Sequence, residues 1–435
     1  MSQGGNRGGR PEGTSAALAP FGVRAFRFQA PADVCMAFAL EMENIILGWY
    51  ILVETKSVVL LTVFAGLQFL GSLVTPYTGM LADRMGRRVL LVGSRMIFTG
   101  LALLLALLSV FDALSPVRVF AVALAGGLLK PSELMLRQTF STDILPPSYL
   151  LQALGLGRVT LDAARMFGAL AGAALFAWLG FSASYVVVTL LYAGSFALMW
   201  VALLGSAGRA SAAALKRPAR APADASPGRQ RQSGWRDMRD GLAYVRNTPR
   251  LFGIICLVVA INVVAFPLTT GLLPYVAKEV YLLDEIGYGR IVASHAAGSL
   301  VGSLLMTFVM RPANAARLML IVCFCWQVTM VVFALMTQPV AGALVLMVFG
   351  AFQSMTMVSL TTAVLGSAAE NFRTRVMGVR MLAVYGLPVG LFLSGLLVRQ
   401  IGFMPAMLIF GAVGISSVVL IGRVWRESLW HGRAA

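Results

Sequence analysis

The chain has 435 residues, of which 58% are hydrophobic and only 12% charged. Soluble domains carry about 25% charged residues, so this composition excludes an ordinary soluble protein. The net charge is +17, which in a soluble protein would point to nucleic acid. Here the apolar residues fall in runs of about 20 along the whole chain, the length a helix needs to cross a bilayer. The expected fold class is therefore an all-α membrane protein. The basic excess is expected to orient the chain and touch anionic lipid, with no nucleic acid as partner.

Residues 1–27 are rich in Gly, Arg, Ser and Pro and lack the apolar segment of a signal peptide. They read as a disordered cytoplasmic tail. Twelve spans are predicted near 28–53, 57–78, 89–110, 117–138, 152–177, 183–205, 251–274, 287–309, 316–336, 340–363, 376–398 and 402–422. The segment 206–250, rich in Ala, Pro, Ser and Arg, reads as a cytoplasmic basic linker that cannot bury a core. It separates an N-terminal six-helix bundle, 28–205, from a C-terminal one, 251–422. Residues 423–435 read as a second cytoplasmic tail.

Lysine and arginine test this map. With these spans, 25 of the 35 fall on the side that holds the tails and linker. Five fall opposite: Lys56, Arg118, Lys278, Arg290 and Arg399. Five more, Arg95, Lys130, Arg158, Arg165 and Arg380, lie inside spans. This bias predicts a multi-pass protein of the cell membrane, with both termini in the cytoplasm.

The most charged short turn between spans is Gly79 to Arg88, with Gly79, Asp83, Arg84, Gly86, Arg87 and Arg88 at fixed spacing. It resembles the G-x-L-a-D-R-x-G-R-[KR] loop between helices 2 and 3 of major facilitator superfamily (MFS) transporters. Further motifs resemble the enterobactin-exporter and macrolide-efflux group within that superfamily. They are Leu47-Gly48-Trp49-Tyr50 with Glu54-Thr55-Lys56-Ser57, Pro131 with Ile144-Leu145-Pro146-Pro147 and Leu151-Gln152-Ala153, Gly241 to Arg246 with Pro249, and Thr374 to Gly378. The chain departs from the group after the arginine of span five, where Gly168-Ala169 replaces Gly-Pro. Gly168 and Gly172 keep a small-residue packing face.

The resemblance implies a secondary active transporter, with protons as coupling ion, that works as a monomer and exports a small amphiphilic molecule such as a drug, macrolide or siderophore. Uptake or translocation of a lipid-like or other small metabolite by the same fold is the alternative, and a non-transporting membrane receptor a third. In the superfamily the loop acid latches the cytoplasmic side against the partner bundle; here its partners would be Arg373 and Arg375 at the start of span eleven. Gly79 and Gly86 would permit close backbone approach.

Charges inside spans are costly and point to function. Glu41 and Glu43 of span one point about 200° apart, and Glu41 shares a small, polar face with Asp33, Ala37, Asn44 and Gly48. Glu41 is therefore expected to face a cavity and to carry the proton, with Lys130 as its cationic partner. Lys130, Glu133 and Arg137 lie on one face of span four; Arg158, Asp162 and Arg165 lie on one face of span five. These read either as cavity lining or as ion pairs between spans four and five. In the second bundle the candidates are Asn262, His295, Gln353 and Arg380; His295, on a face with Gly298, Ser299 and Gly302, can be helix glue or a proton carrier. The four cysteines, Cys35, Cys256, Cys323 and Cys325, read as small core residues. No metal-binding or nucleotide-binding pattern appears, so no metal, cofactor or enzymatic activity is expected.

Overall fold

Nine stretches among the described residues are long and apolar enough to cross a membrane. The computed structural model describes residues 19–73, 77–78, 81–82, 85–146, 149–214, 234–306, 314–369 and 372–430. One of the nine, Leu156–Ala202, spans 47 residues. At about 1.5 Å per residue that is twice the thickness of the hydrocarbon core, and it bends at Gly180 (φ 73°) into two crossings. The shorter Val58–Leu67 and the small-residue helix Glu285–Leu304 complete twelve.

In chain order the crossings are α1 (Arg24–Thr55), α2 (Val58–Leu67), α3 (Arg87–Val110) and α4 (Pro116–Ile144). α5 runs from Leu150–Ala163 through a π-helical turn, Ala164–Gly168, into Ala169–Ala214; the part of that last helix beyond Gly180 is α6. α7 begins as Pro249–Val264 and continues through π-helical turns Leu268–Leu272 and Val276–Val280. Then come α8 (Glu285–Leu304), α9 (Ala315–Ala334), α10 (Pro339–Ser367), α11 (Arg373–Ala383 and Gly386–Ile401) and α12 (Phe403–Val424). Twelve crossings bring the start of α1, the end of α6 and the end of α12 to one side, called the basic side below; the other is the far side.

Several boundaries differ from expectation. α1 starts at Arg24, inside the segment expected to be a disordered tail, and a short 3-10 turn, Ala19–Gly22, precedes it. The apolar residues Phe21 and Phe26 stack edge to face there, which gives that segment something to bury. α2 breaks after ten residues, and a 3-10 turn, Leu70–Leu73, follows. At that break Gly71 and Gly127 let the backbones of α2's continuation and α4 touch.

The linker is not wholly without structure. Residues Gly234–Asn247 form an amphipathic helix. Its Val245 is buried, its Tyr244 stacks on Phe372 with ring centres 4.2 Å apart, and its Gly241 packs on Arg375 at the start of α11. The segment is expected from sequence to be a linker without a core of its own; its apolar residues recur at helical spacing, and that part packs on α11. The last tail also docks: Arg426–Leu429 is a helical turn, Leu429 is fully buried, and Asn314 donates to the carbonyls of Leu429 and Trp430.

Candidate functional site

A cavity of about 440 Å³ lies between the two bundles. α1 contributes Glu41, Asn44 and Gly48, α5 contributes Arg165, and α7, α8, α10 and α11 contribute Asn262, His295, Gln353 and Arg380. The rest of its wall is largely apolar, with Phe64, Phe69, Phe266 and Leu387 among the residues. Cavities between helices with a few convergent polar groups are where ligands bind in such folds.

Glu41 faces this cavity, and its cation is Arg165: Nε lies 3.4 Å from Oε1. Gly168 allows the approach, because its missing Cβ leaves room for the Glu41 side chain, and Gly172 packs likewise on Met42. Arg165 sits in the π-helical turn of α5. Such single-turn bulges recur at functional sites. Arg165 is also 4.0 Å from Asp162, which Arg158 binds at 3.0 Å. The span-five triad is thus an intrahelical chain of charges that ends on Glu41. Asp162 is buried beside it and does not line the cavity.

The expected Glu41–Lys130 pair does not form. Lys130 lies 3.7 Å from Glu43 and donates to Asn44 (3.2 Å) and Gln68 (2.8 Å). The α2 break puts Gln68 within reach of α4, and that acceptor, together with Asn44 and Glu43, holds the ammonium away from Glu41. Tyr192 of α6 donates to Glu43 at 2.8 Å. Neither Glu43 nor Lys130 lines the cavity.

Glu133 is also outside it. It is 3% exposed and bonds Arg95 of α3 at 3.3 Å. Arg95 is fully buried, is paired also with Asp33 of α1, and donates to Ser195 at 3.0 Å. The acids of α1 and α4 therefore meet an arginine from α3, so the ion pairs do not link spans four and five as expected. Asp33, grouped with Glu41 by helical phase, belongs to this cluster. The signal that could have found it was Arg95 itself, a cation deep in a span.

His295 Nε2 lies 2.6 Å from Gln353 Oε1, so the histidine both joins α8 to α10 and lines the cavity. Arg380 lines the cavity too. Among the described residues it has no hydrogen-bond or ion-pair partner.

On the far side the bundles touch. Trp49 of α1 donates to Glu285 of α8 at 2.9 Å, stacks on Tyr288 at 5.7 Å, and has Lys278 over its ring at 5.9 Å. Sequence reasoning did not assign this cluster. Gly48 rests against Pro274 and Tyr288, and Thr62 of α2 against Gly395 of α11. These contacts close the far end of the cavity.

Of the 79–88 loop, Gly79, Asp83 and Arg84 lie outside the described residues. Gly86 caps α3 with φ 91°, and a Cβ there would meet nothing within 4 Å. Its glycine serves the positive φ. The Arg88 guanidinium lies over Phe140 of α4, 5.6 Å from the ring centre. Arg87 opens α3.

A family model of the Major Facilitator Superfamily matches residues 32–389. Solved structures share the fold at low identity. An auto-inhibited POT family peptide transporter aligns with a TM-score of 0.68 at 14% identity, covering 93% of this chain and 97% of that one. The nucleoside transporter NupG aligns at 0.67 and 15%, covering 92% and 99%. A bacterial homolog of the human lysosomal transporter Spinster, inward-facing and occupied, aligns at 0.65 and 13%, covering 94% and 98%. No curated protein matches this chain in sequence.

Proposed function

The chain belongs to the major facilitator superfamily, and from that premise we propose that it is a proton-coupled secondary transporter that exports a small amphiphilic molecule from the cytoplasm. The observation that carries this reading is the Glu41–Arg165 pair, a carboxylate and a guanidinium 3.4 Å apart inside the cavity between the bundles. The motifs shared with the enterobactin-exporter and macrolide-efflux group support the export direction. The lysine and arginine bias supports a cytoplasmic basic side in the inner membrane, and the far-side contacts then correspond to a state open toward the cytoplasm.

In this mechanism Glu41 is the proton carrier and Arg165 its cationic partner. A carboxylate separated from its cation in a water-poor site binds a proton. Rearrangement of α5 against α1, on the far-side-open half of the cycle, would separate the pair and load the proton. Return to the closed far side would restore the pair and release the proton inward. Asp83 would latch the basic side in the alternate state, meeting the start of α11 near Arg373 and Arg375.

Inverted membrane vesicles test direction and coupling together. Their cytoplasmic face points outward, so an exporter accumulates substrate when a proton gradient is imposed. A panel of fluorescent amphiphiles should include compounds accumulated by wild-type vesicles and not by vesicles lacking the protein. Glu41→Gln should bind the same compounds and lose gradient-driven accumulation by at least tenfold. Full gradient-dependent accumulation by that variant would remove Glu41 as carrier; accumulation confined to right-side-out vesicles would reverse the direction.

A further inference from the structure

Three formally charged side chains line the cavity: Glu41, Arg165 and Arg380. The first two neutralise each other at 3.4 Å. Arg380 is left over. It lies about two turns into α11, partly buried, with no acid or hydrogen-bond acceptor among the described residues. Sequence explains why. From Leu251 onward the only carboxylates are Glu279, Asp284, Glu285, Glu370 and Glu427, all near helix ends or in connections. No Asp or Glu stands in the interior of a second-bundle span, so the bundle that carries Arg380 offers it no counterion at its depth.

An arginine kept inside a membrane protein without a partner acid is expensive. Guanidinium is also the side chain best shaped to grip an oxyanion through two parallel hydrogen bonds. The lining residues Asn262 and Gln353 are neutral; the Asn262 amide donates to the Val258 carbonyl, and the Gln353 side-chain oxygen pairs with His295. Elsewhere on the wall, Phe64, Phe69, Phe266 and Leu387 offer apolar surface. The cavity therefore has one uncompensated positive group and an extended greasy wall.

We propose that Arg380 is the anion-recognition residue of this cavity, and that its ligand is an amphiphile with an oxyanion head and an apolar body lying against α2, α7 and α11. This rests on the reading of the cavity as the transport site and narrows its substrate class. The oxyanion can come from a soluble acid or from a phospholipid head group.

The test uses the full-length protein in nanodiscs and two probes of one shape, 11-(dansylamino)undecanoic acid and its methyl ester. In zwitterionic phosphatidylcholine discs the wild type should bind the acid at least tenfold more tightly than the ester. Arg380→Gln should lower acid affinity to that of the ester and leave ester binding unchanged, which also reports that the variant is folded. Arg380→Lys should keep part of the preference. Equal affinity of the wild type for both probes, no binding of the acid, or a preference that survives in Arg380→Gln would overturn the proposal. Phosphatidylglycerol in the discs separates the sources. Competition with the acid in wild type but not in Arg380→Gln assigns a lipid head group to the site, and its absence assigns a soluble acid; both support oxyanion recognition. The transport reading fails separately. Arg380-dependent acid binding with neither probe moved in vesicles would sink transport and keep the anion site, whereas equal movement of both probes would do the reverse.

Discussion

Both bundles use close backbone crossings, such as Gly71 against Gly127 in the first, but they differ in what else meets inside the spans. In the first, charges inside the spans find charges: Arg95 joins Asp33 and Glu133, Lys130 meets Glu43, and Arg165 meets Glu41. In the second, helices meet backbone to backbone. Gly298 and Gly302 of α8 press on the main chain of Met347 and Ala351 in α10, and Gly350 returns the contact at His295. Ion pairs have alternative partners and can be redrawn between conformations, whereas a close backbone crossing has one geometry. The first bundle is thus suited to carry the chemistry of coupling, and the second to act as a stiff body that presents a ligand-facing arginine.

The largest effect that would break this contrast comes from Arg95→Met. It removes one fully buried cation and strands two carboxylates. Removing one partner of a buried ion pair costs about 3–5 kcal/mol, so the thermal midpoint of the purified protein should fall sharply. Glu133→Gln added to that variant should recover part of the loss. A single variant as stable as wild type would show that the cluster contributes nothing to the first bundle.

A smaller loss is expected from Gly298→Ala. The added methyl would collide with the carbonyl of Met347, a backbone atom that cannot turn aside. Overpacking of this kind costs about 1–3 kcal/mol. The midpoint should fall less than for Arg95→Met, and the α8–α10 crossing should loosen. An unchanged midpoint would mean that this contact is not tight in the membrane.

Much of the architecture was legible in the sequence because a span announces itself by composition and length. Twelve crossings and the division between bundles follow from apolar runs and the basic segment between them. What is harder to read is which charge meets which. Helical phase placed Glu41 on the cavity, because phase is a property of one helix. It gave Glu41 the wrong cation, because Lys130 and Arg165 compete from different helices and the winner depends on the α2 break and the α5 bulge. Neither irregularity has a period. Gly71 and Gly168 were visible as glycines, but their backbone neighbours were not. Arg380 stood out as an intramembrane cation; only the packed structure shows that nothing described is paired with it.

The smallest effect concerns the seam between the bundles. Trp49 joins them through its indole N–H to Glu285, and through its ring to Tyr288 and Lys278. Trp49→Phe keeps an aromatic ring for the stack and the cation but deletes the donor. A hydrogen bond to a charged acceptor contributes about 1.5–3 kcal/mol when well shielded, and Glu285 is half-buried at the edge of the seam, so about 1 kcal/mol is expected. That free energy is roughly a fivefold change in an equilibrium. It acts only on the state in which the seam is closed, so it should shift the population toward far-side opening without lowering the midpoint much. Spin labels at Asp112 and Gln338, one in a far-side connection of each bundle, would report it in a cysteine-free background. The long-distance fraction should rise about fivefold relative to the short one. If the distribution does not move, the Trp49–Glu285 bond does not hold the bundles together, and the closed far side rests on packing alone, such as Thr62 against Gly395.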